Sequence, residues 1–256
     1  MMGGRPADIT VGGACAFQLP HGLGCAAQAR SLLSSAMTAL GLPRELVEDG
    51  ELAVSELATN AFQHAGGTGR DGPATLPELW VWARVHPAPQ LVVSVFDADP
   101  TAMPQVSGAG PLEEYGKGLG IVAAVSACWG CRRSRCRLGN RPAGGKATWF
   151  ALPLPGPWPT GRTAVGPSAA AQELVCALAA RGIDGNRRSD DTGISIVHAG
   201  RRNVWVRPGT FCWRDGTGGY VQYPLADLQE VVEHLVSDHE SDAGRPPARS
   251  ATRRSM

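Results

Sequence analysis

VSELATNAFQHA, residues 54–65, decides how the N-terminal part of the chain folds and what it can do. Glu56, Asn60 and His64 stand four residues apart. Steps of four advance a helix by about 400°, so these side chains lie along one slowly drifting stripe. The neighbouring stripe, Leu46, Ala53, Leu57 and Ala61, is apolar and is expected to face a core. One helix therefore buries one stripe and aims a carboxylate, an amide and an imidazole at whatever lies beside it. The amide oxygen of Asn60 is a hard ligand suited to Mg²⁺, which keeps several waters and binds substrate phosphates. Glu56, one turn away, can orient or deprotonate an attacking hydroxyl or water. On spacing alone a solvated polar face explains the stripe as well.

The segments around this helix supply the rest of a layered unit. It starts near Pro43, a residue suited to a first helical turn, and the glycines after His64 stop it. Before it, CAFQLP (15–20) reads as a short strand and residues 26–40 as a helix closed by Gly41. After it come strands at 79–85 (LWVWARV) and 91–96 (LVVSVF), the second reading as mostly buried. A long Pro/Gly/Ala connection, 97–120, has the length of a lid or binding loop. LGIVAAVSACW (119–129) reads as an apolar helix, and residues 129–138 and 146–154 as closing strands. Helices first and strands after predict an α+β fold, a two-layer sandwich of helices on a mixed sheet.

Two further features carry chemistry. LVVSVF runs into Asp97, a carboxylate at the end of a buried strand. Such a group accepts hydrogen bonds and cannot donate them, so it suits the exocyclic amine of adenine and rejects the oxygen of guanine. Read by itself, Asp97 could equally cap a turn. Gly116-Lys117-Gly118-Leu119-Gly120 leads into the apolar helix. Glycines admit a phosphate close to the backbone, and a helix N-terminus offers it free N–H groups and partial positive charge. The segment fits neither the dinucleotide fingerprint nor the P-loop pattern.

In order and spacing these pieces resemble the GHKL ATPase superfamily, which includes histidine-kinase catalytic domains, gyrase-type ATPases and anti-sigma-factor serine kinases. The resemblance spans residues 15–154. VSELATNAFQHA is similar to the N-box, VSVFDADP to the G1 box, YGKGLGIVAAV to the G2 box, and GKATWFAL to the closing strand. It implies a Bergerat-type ATP-binding fold with ATP and Mg²⁺ as cofactors. Glu56 then stands as the catalytic base and Asn60 as the magnesium ligand. His64, Asp97, Gly116, Lys117, Gly118, Leu119, Gly120 and Thr148 line the nucleotide, with Asp97 and Thr148 at the adenine. The compact layout looks most like the anti-sigma-factor kinases. That likeness implies a serine/threonine protein kinase that binds a sigma factor and phosphorylates an anti-anti-sigma (STAS-type) protein. The alternative is a non-catalytic partner-binding module whose nucleotide is weakly held or lost. Homodimerisation is also implied by resemblance only. One departure stands out: the G1 box usually reads Asp-x-Gly-x-Gly, whereas Ala98, Asp99 and Pro100 follow Asp97 here. Asp99 can adopt a glycine-like backbone, but it adds negative charge near the phosphates, so weak, Mg²⁺-dependent nucleotide binding is expected.

Residues 155–167 carry a proline or glycine every few positions and read as a linker. Beyond them 168–238 forms a second pattern, a small α+β unit. It has a helix capped by Ser168 and ended by Gly182, four short strands, and a closing helix with Leu225, Leu228, Val232 and Leu235 on one face. Trp205, Phe211, Trp213, Tyr220 and Tyr223 are expected in or beside its core, and Arg201, Arg202, Arg207 and Arg214 in solvent. A sensory or partner-docking role rests on its being appended, and residues 239–256 read as a disordered tail.

Composition sets the outer bounds. The chain has 256 residues, enough for two modest domains, with 43% hydrophobic and 18% charged residues and a net charge of +1. That balance argues against a protein built to neutralise nucleic-acid phosphates. No apolar run reaches the ~18 residues of a membrane span, and no signal peptide is visible, so a cytoplasmic protein is expected. The seven cysteines show no disulfide framework. Cys128, Cys131 and Cys136 lack a fourth ligand nearby and read as strand residues.

Overall fold

The computed structural model describes residues 2–64, 75–101, 103, 117–139, 141–156, 165–190 and 193–243. A six-stranded sheet is formed by β1 (Met2–Gly3), β2 (Ala14–Gln18), β3 (Glu78–Arg84), β4 (Gln90–Asp97), β5 (Cys128–Arg135) and β6 (Gly144–Pro153). The strand order is β1-β2-β3-β4-β6-β5. The helices of this part are α1 (Pro6–Ile9), α2 (Gly24–Ala39), α3 (Arg44–His64) and α4 (Lys117–Val125). α2 ends where Gly41 turns to φ +70, with Leu42 N–H on Met37 O at 3.1 Å and Gly41 N–H on Thr38 O at 2.9 Å. That is a Schellman closure, which requires a left-handed residue and therefore favours glycine.

The α+β layering is as expected, but every strand pair of this sheet is antiparallel rather than mixed. The reason lies in the connections. β5 enters at the edge after α4, and β6 returns beside it and slots against β4, with Asp97 opposite Lys146. Period-two alternation then sorts the side chains. Leu79, Val81, Ala83, Leu91, Val93, Val95, Phe150 and Leu152 face α2, α3 and α4 and pack with Ala53, Leu57, Ala61, Leu119 and Val122. Trp80, Trp82, Val92, Phe96, Ala147 and Ala151 face the other way.

An antiparallel sheet with one wet face would show polar residues there. Instead β3 and β4 are buried at every position. The cover comes from the C-terminal part. There a five-stranded antiparallel meander runs β7 (Gly185–Ser189), β8 (Ser195–Ala199), β9 (Arg202–Arg207), β10 (Thr210–Arg214) and β11 (Tyr220–Pro224). It packs on α5 (Pro167–Ala179) and α6 (Leu228–Ala243) through Leu174, Leu178, Val204, Phe211, Trp213, Val232 and Leu235. α6 also lies against β5 and β3 of the first sheet.

Several details differ from expectation. α5 is capped by Gly166, with Pro167 in its first turn, so Ser168 is inside the helix and accepts hydrogen bonds from Arg187 instead. β7 has no apolar alternation and is largely exposed, which hides a polar edge strand from pattern reading. α6 continues to Ala243, past the point where a tail was expected, because Glu240 is held by Arg135. Arg202 is paired with Asp238 at 2.9 Å rather than merely solvated. Among the described residues no helix is long and apolar enough to cross a membrane.

Candidate functional site

The site lies on the helix-facing side of the first sheet, at the end of β4. Asp97 shares its face of the strand with Val93 and Val95, and Thr148 stands opposite Val95 on β6. α3 runs over this face with Ala53, Leu57 and Ala61 inward, and Glu56 and Asn60 on its flank, each partly exposed. α4 enters beside α3. A Cβ on Gly118 would lie 2.5 Å from Glu56 Oε2, so the first turn of α4 sits directly against the carboxylate. The helix stripe and the glycine turn, separate in sequence, are thereby brought together.

The structure places the other predicted residues in different settings. Leu119 turns its side chain into the core, only 5% exposed, so the backbone is what it can offer a ligand. Gly120 is exposed with nothing near its Cβ position. Thr148 Oγ1 donates to Cys131 Sγ at 3.5 Å, a long contact. Gly116 lies outside the described residues, as do the side chains of His64 and Lys117 and the connection 104–116. Cys128 and Cys131 fall on opposite faces of β5, which separates the cysteine cluster.

Sequence reasoning missed Lys146. Its Nζ donates to Asp97 Oδ1 at 2.9 Å and to Asp99 O at 2.9 Å, and both charged side chains are 3% exposed. Asp97 Oδ1 also accepts the Asp99 N–H at 3.0 Å. Burial pushes the Asp97 carboxyl above its ordinary value, although Lys146 and the Asp99 N–H pull it back. Neither strand carries a signal for it alone, because Asp97 and Lys146 come into register only when β6 pairs with β4.

The altered loop after Asp97 also resolves differently from expectation. No described residue other than glycine has a positive φ, so Asp99 does not imitate a glycine backbone. It makes a side-chain turn, its Oδ1 accepting the Thr101 N–H at 2.8 Å and the Thr101 hydroxyl at 2.6 Å. The glycine that the strand end does need is on the partner strand. A Cβ on Gly145 would fall 2.1 Å from Asp97 O.

With this geometry in place, the comparison with protein families is informative. Residues 20–139 match the model of the histidine kinase-like ATPase domain. This part of the chain is similar to a histidine kinase-like ATPase domain. The comparison with curated proteins finds no match. The match takes in Glu56, Asn60, Asp97 and the Gly116–Gly120 segment, while Lys146 and Thr148 on β6 lie beyond it.

Proposed function

We propose that the ATPase domain binds ATP with Mg²⁺ and serves as an anti-sigma-factor kinase, binding a sigma factor and phosphorylating a serine of an anti-anti-sigma protein. The meeting of Gly118 with Glu56, on the face of the sheet where Asp97 ends β4, supports this reading best. Asp97 would accept from the adenine amine. The backbone at the start of α4 would receive the phosphates, and Asn60 would hold Mg²⁺, which neutralises phosphate charge. Glu56 would take the proton of the acceptor hydroxyl as its oxygen attacks the γ-phosphorus and ADP leaves. The C-terminal unit would dock or sense a partner.

The experiment is transfer of radiolabelled phosphate from ATP to STAS-type proteins of the same genome, using the full chain. Glu56→Gln is expected to keep ATP binding within a few fold and to lower transfer by roughly 10²–10⁴. Transfer by this variant at the normal rate would remove Glu56 from the role.

One observation favours a second reading, a partner-binding module without turnover: the Asp97 carboxylate is already engaged by Lys146. Calorimetric titration with Mg-ATP separates the two. The kinase reading expects weak binding that chelator abolishes; no heat at millimolar nucleotide would favour the binding module.

A further inference from the structure

The five strands of the C-terminal meander contain five arginines and no aspartate or glutamate. Two of the arginines turn to the helix side, Arg187 onto Ser168 of α5 and Arg202 onto Asp238 of α6. Val197, Val204, Val206, Phe211 and Trp213 fill the core on that side. Arg188, Arg207 and Arg214 alternate to the other face, are exposed, and pair with no acid among the described residues. Among the described residues no layer covers this second face.

Trp205 stands half-buried at its centre, on β9 between the inward-pointing Val204 and Val206. In register across the sheet it lies between Ile196 and Cys212, with Arg188 beyond Ile196 on the edge strand. Arg207 is two residues further along β9, and Arg214 is the same step beyond Cys212 on β10, which runs the opposite way. Alternate residues of a strand are about 7 Å apart and neighbouring strands about 4.8 Å, so the three cations stand on three sides of the indole. Tyr220, opposite Arg214, is 60% exposed and adds a second ring.

An open sheet face needs polar groups, but wetting alone is served by charges of both signs and calls for no exposed rings. A line of cations would track a phosphate backbone. Cations around a central tryptophan instead match the anchor and polar rim of a protein interface, where Trp, Tyr and Arg carry most of the binding energy. The whole-chain charge of +1 points the same way. Residues 244–256 carry four arginines and no acid, so the end of the chain does not complement this face. We propose that it docks an acidic protein segment, with an apolar or aromatic side chain on Trp205 and carboxylates on Arg188, Arg207 and Arg214. The inference rests on the docking role proposed above for the C-terminal unit and gives that role a surface and a partner chemistry. It does not involve the nucleotide site.

Fluorescence anisotropy on the full chain tests it. The probe is a fluorescein-labelled peptide of about 12 residues, Asp and Glu alternating with Leu and Phe, long enough to cross the strands. The wild type should bind it at least about tenfold more tightly than an oligothymidylate of similar length, or than the same peptide with Lys for each acid. Trp205→Ala should weaken binding by roughly 10–100-fold. Arg207→Glu with Arg214→Glu should weaken it by about tenfold or more; both side chains are exposed, which covers the case that the Trp205 variant does not fold. Lys at the same two positions should leave binding within a few fold. Arg30→Glu with Arg44→Glu, on α2 and α3, makes the same change in net charge and should leave binding unaltered. No binding by the wild type, tighter binding of the oligothymidylate, or equal weakening by the α2 and α3 changes would each overturn the inference. Peptide binding that survives both the Trp205 and the arginine changes would also overturn it, while leaving a docking role standing elsewhere on the chain. None of these readouts depends on Mg-ATP, so loss of the nucleotide reading would leave the inference intact.

Discussion

The two faces of the six-stranded sheet are buried by different chemistry. Toward α2, α3 and α4 the contacts are Leu79, Val81, Leu91, Val93, Val95, Phe150 and Leu152 against aliphatic helix residues. Toward α6 they are aromatic rings and ion pairs. Glu230 accepts from Trp82 Nε1 at 3.2 Å and pairs with Arg84 at 3.4 Å and Arg132 at 3.3 Å. Glu233 pairs with Arg181 at 2.6 Å and accepts from Ser134 at 3.1 Å. The Arg181 guanidinium lies 4.3 Å from the centre of Trp80, while Arg84 and Arg132 lie over Trp149. Apolar burial is non-directional and tolerates imperfect partners. Buried ions must recover a large desolvation cost through each specific contact. The face toward α6 should therefore be the more specific of the two and the more fragile to single changes.

The sharpest way to break that contrast is Glu233→Ala. Burial by itself would raise the Glu233 carboxyl, yet Arg181 and Arg132 outweigh it and hold the group below its ordinary value. Removing the carboxylate leaves Arg181, 1% exposed and with Nε already lacking a partner, as an uncompensated buried charge. The expected loss is roughly 3–5 kcal/mol in urea unfolding followed by tryptophan fluorescence. The double change Arg181→Met with Glu233→Leu should recover most of it, because an apolar pair avoids desolvating two charges. A loss under about 1 kcal/mol for Glu233→Ala would mean that this face is held by its rings alone.

Acidity sharpens the comparison next. Asp227, just before α6, accepts the Val85 N–H at 2.7 Å and the His86 N–H at 3.0 Å. Burial raises its carboxyl from 3.8 to about 6, although those bonds oppose the rise. The folded state therefore holds this proton more tightly than the unfolded chain. The stabilising contribution is full below about 3.8 and is lost as pH rises through about 6, by roughly 3 kcal/mol. Glu230 and Glu233, both lowered, act in the opposite sense, so total stability alone does not isolate Asp227. The measurement is the difference in urea stability between wild type and Asp227→Ala from pH 3.5 to 7. A flat difference would contradict the assignment.

On the helix-facing side, at the proposed nucleotide site, the corresponding weak point is backbone against backbone. In Gly145→Ala the new Cβ would meet Asp97 O at 2.1 Å, and neither strand can give way without moving the pair Asp97–Lys146. A loss of about 1–3 kcal/mol is expected, with weaker Mg-ATP binding by calorimetry. Unchanged binding would separate the Asp97 end of β4 from the nucleotide.

How much of this was legible follows from the range of the interactions. The α3 stripe, the strands and the Asp97 strand end are local patterns, and Glu56, Asn60 and Asp97 were placed from them. The face toward α6 was not legible. Trp82 and Glu230 stand 148 residues apart, and Ser134 and Glu233 stand 99 apart. Nothing in either segment's periodicity announces the other, and an Arg or Glu on a strand reads as solvated until a partner covers it. Lys146 was missed for a related reason: its role exists only once β6 lies against β4. Leu119 shows the same limit on a smaller scale: its place in the motif was legible, while the burial of its side chain in the core appears only once α4 packs on the sheet.

The smallest effect tests where the specific face ends. Glu240, in the last turn of α6, pairs with the Arg135 Nε. Arg135 also donates to Arg181 O at 3.2 Å and Gly182 O at 3.1 Å, so it would keep two partners if the carboxylate were lost. Both side chains are partly solvated, 22% and 15% exposed, which screens the pair. Glu240→Ala should therefore cost no more than about 1 kcal/mol, while raising hydrogen exchange over 239–243. A cost near that of Glu233→Ala would extend the fragile interface to the end of the helix. No change in exchange would mean that α6 persists without this anchor, and that Glu230 and Glu233 suffice to hold it on the sheet.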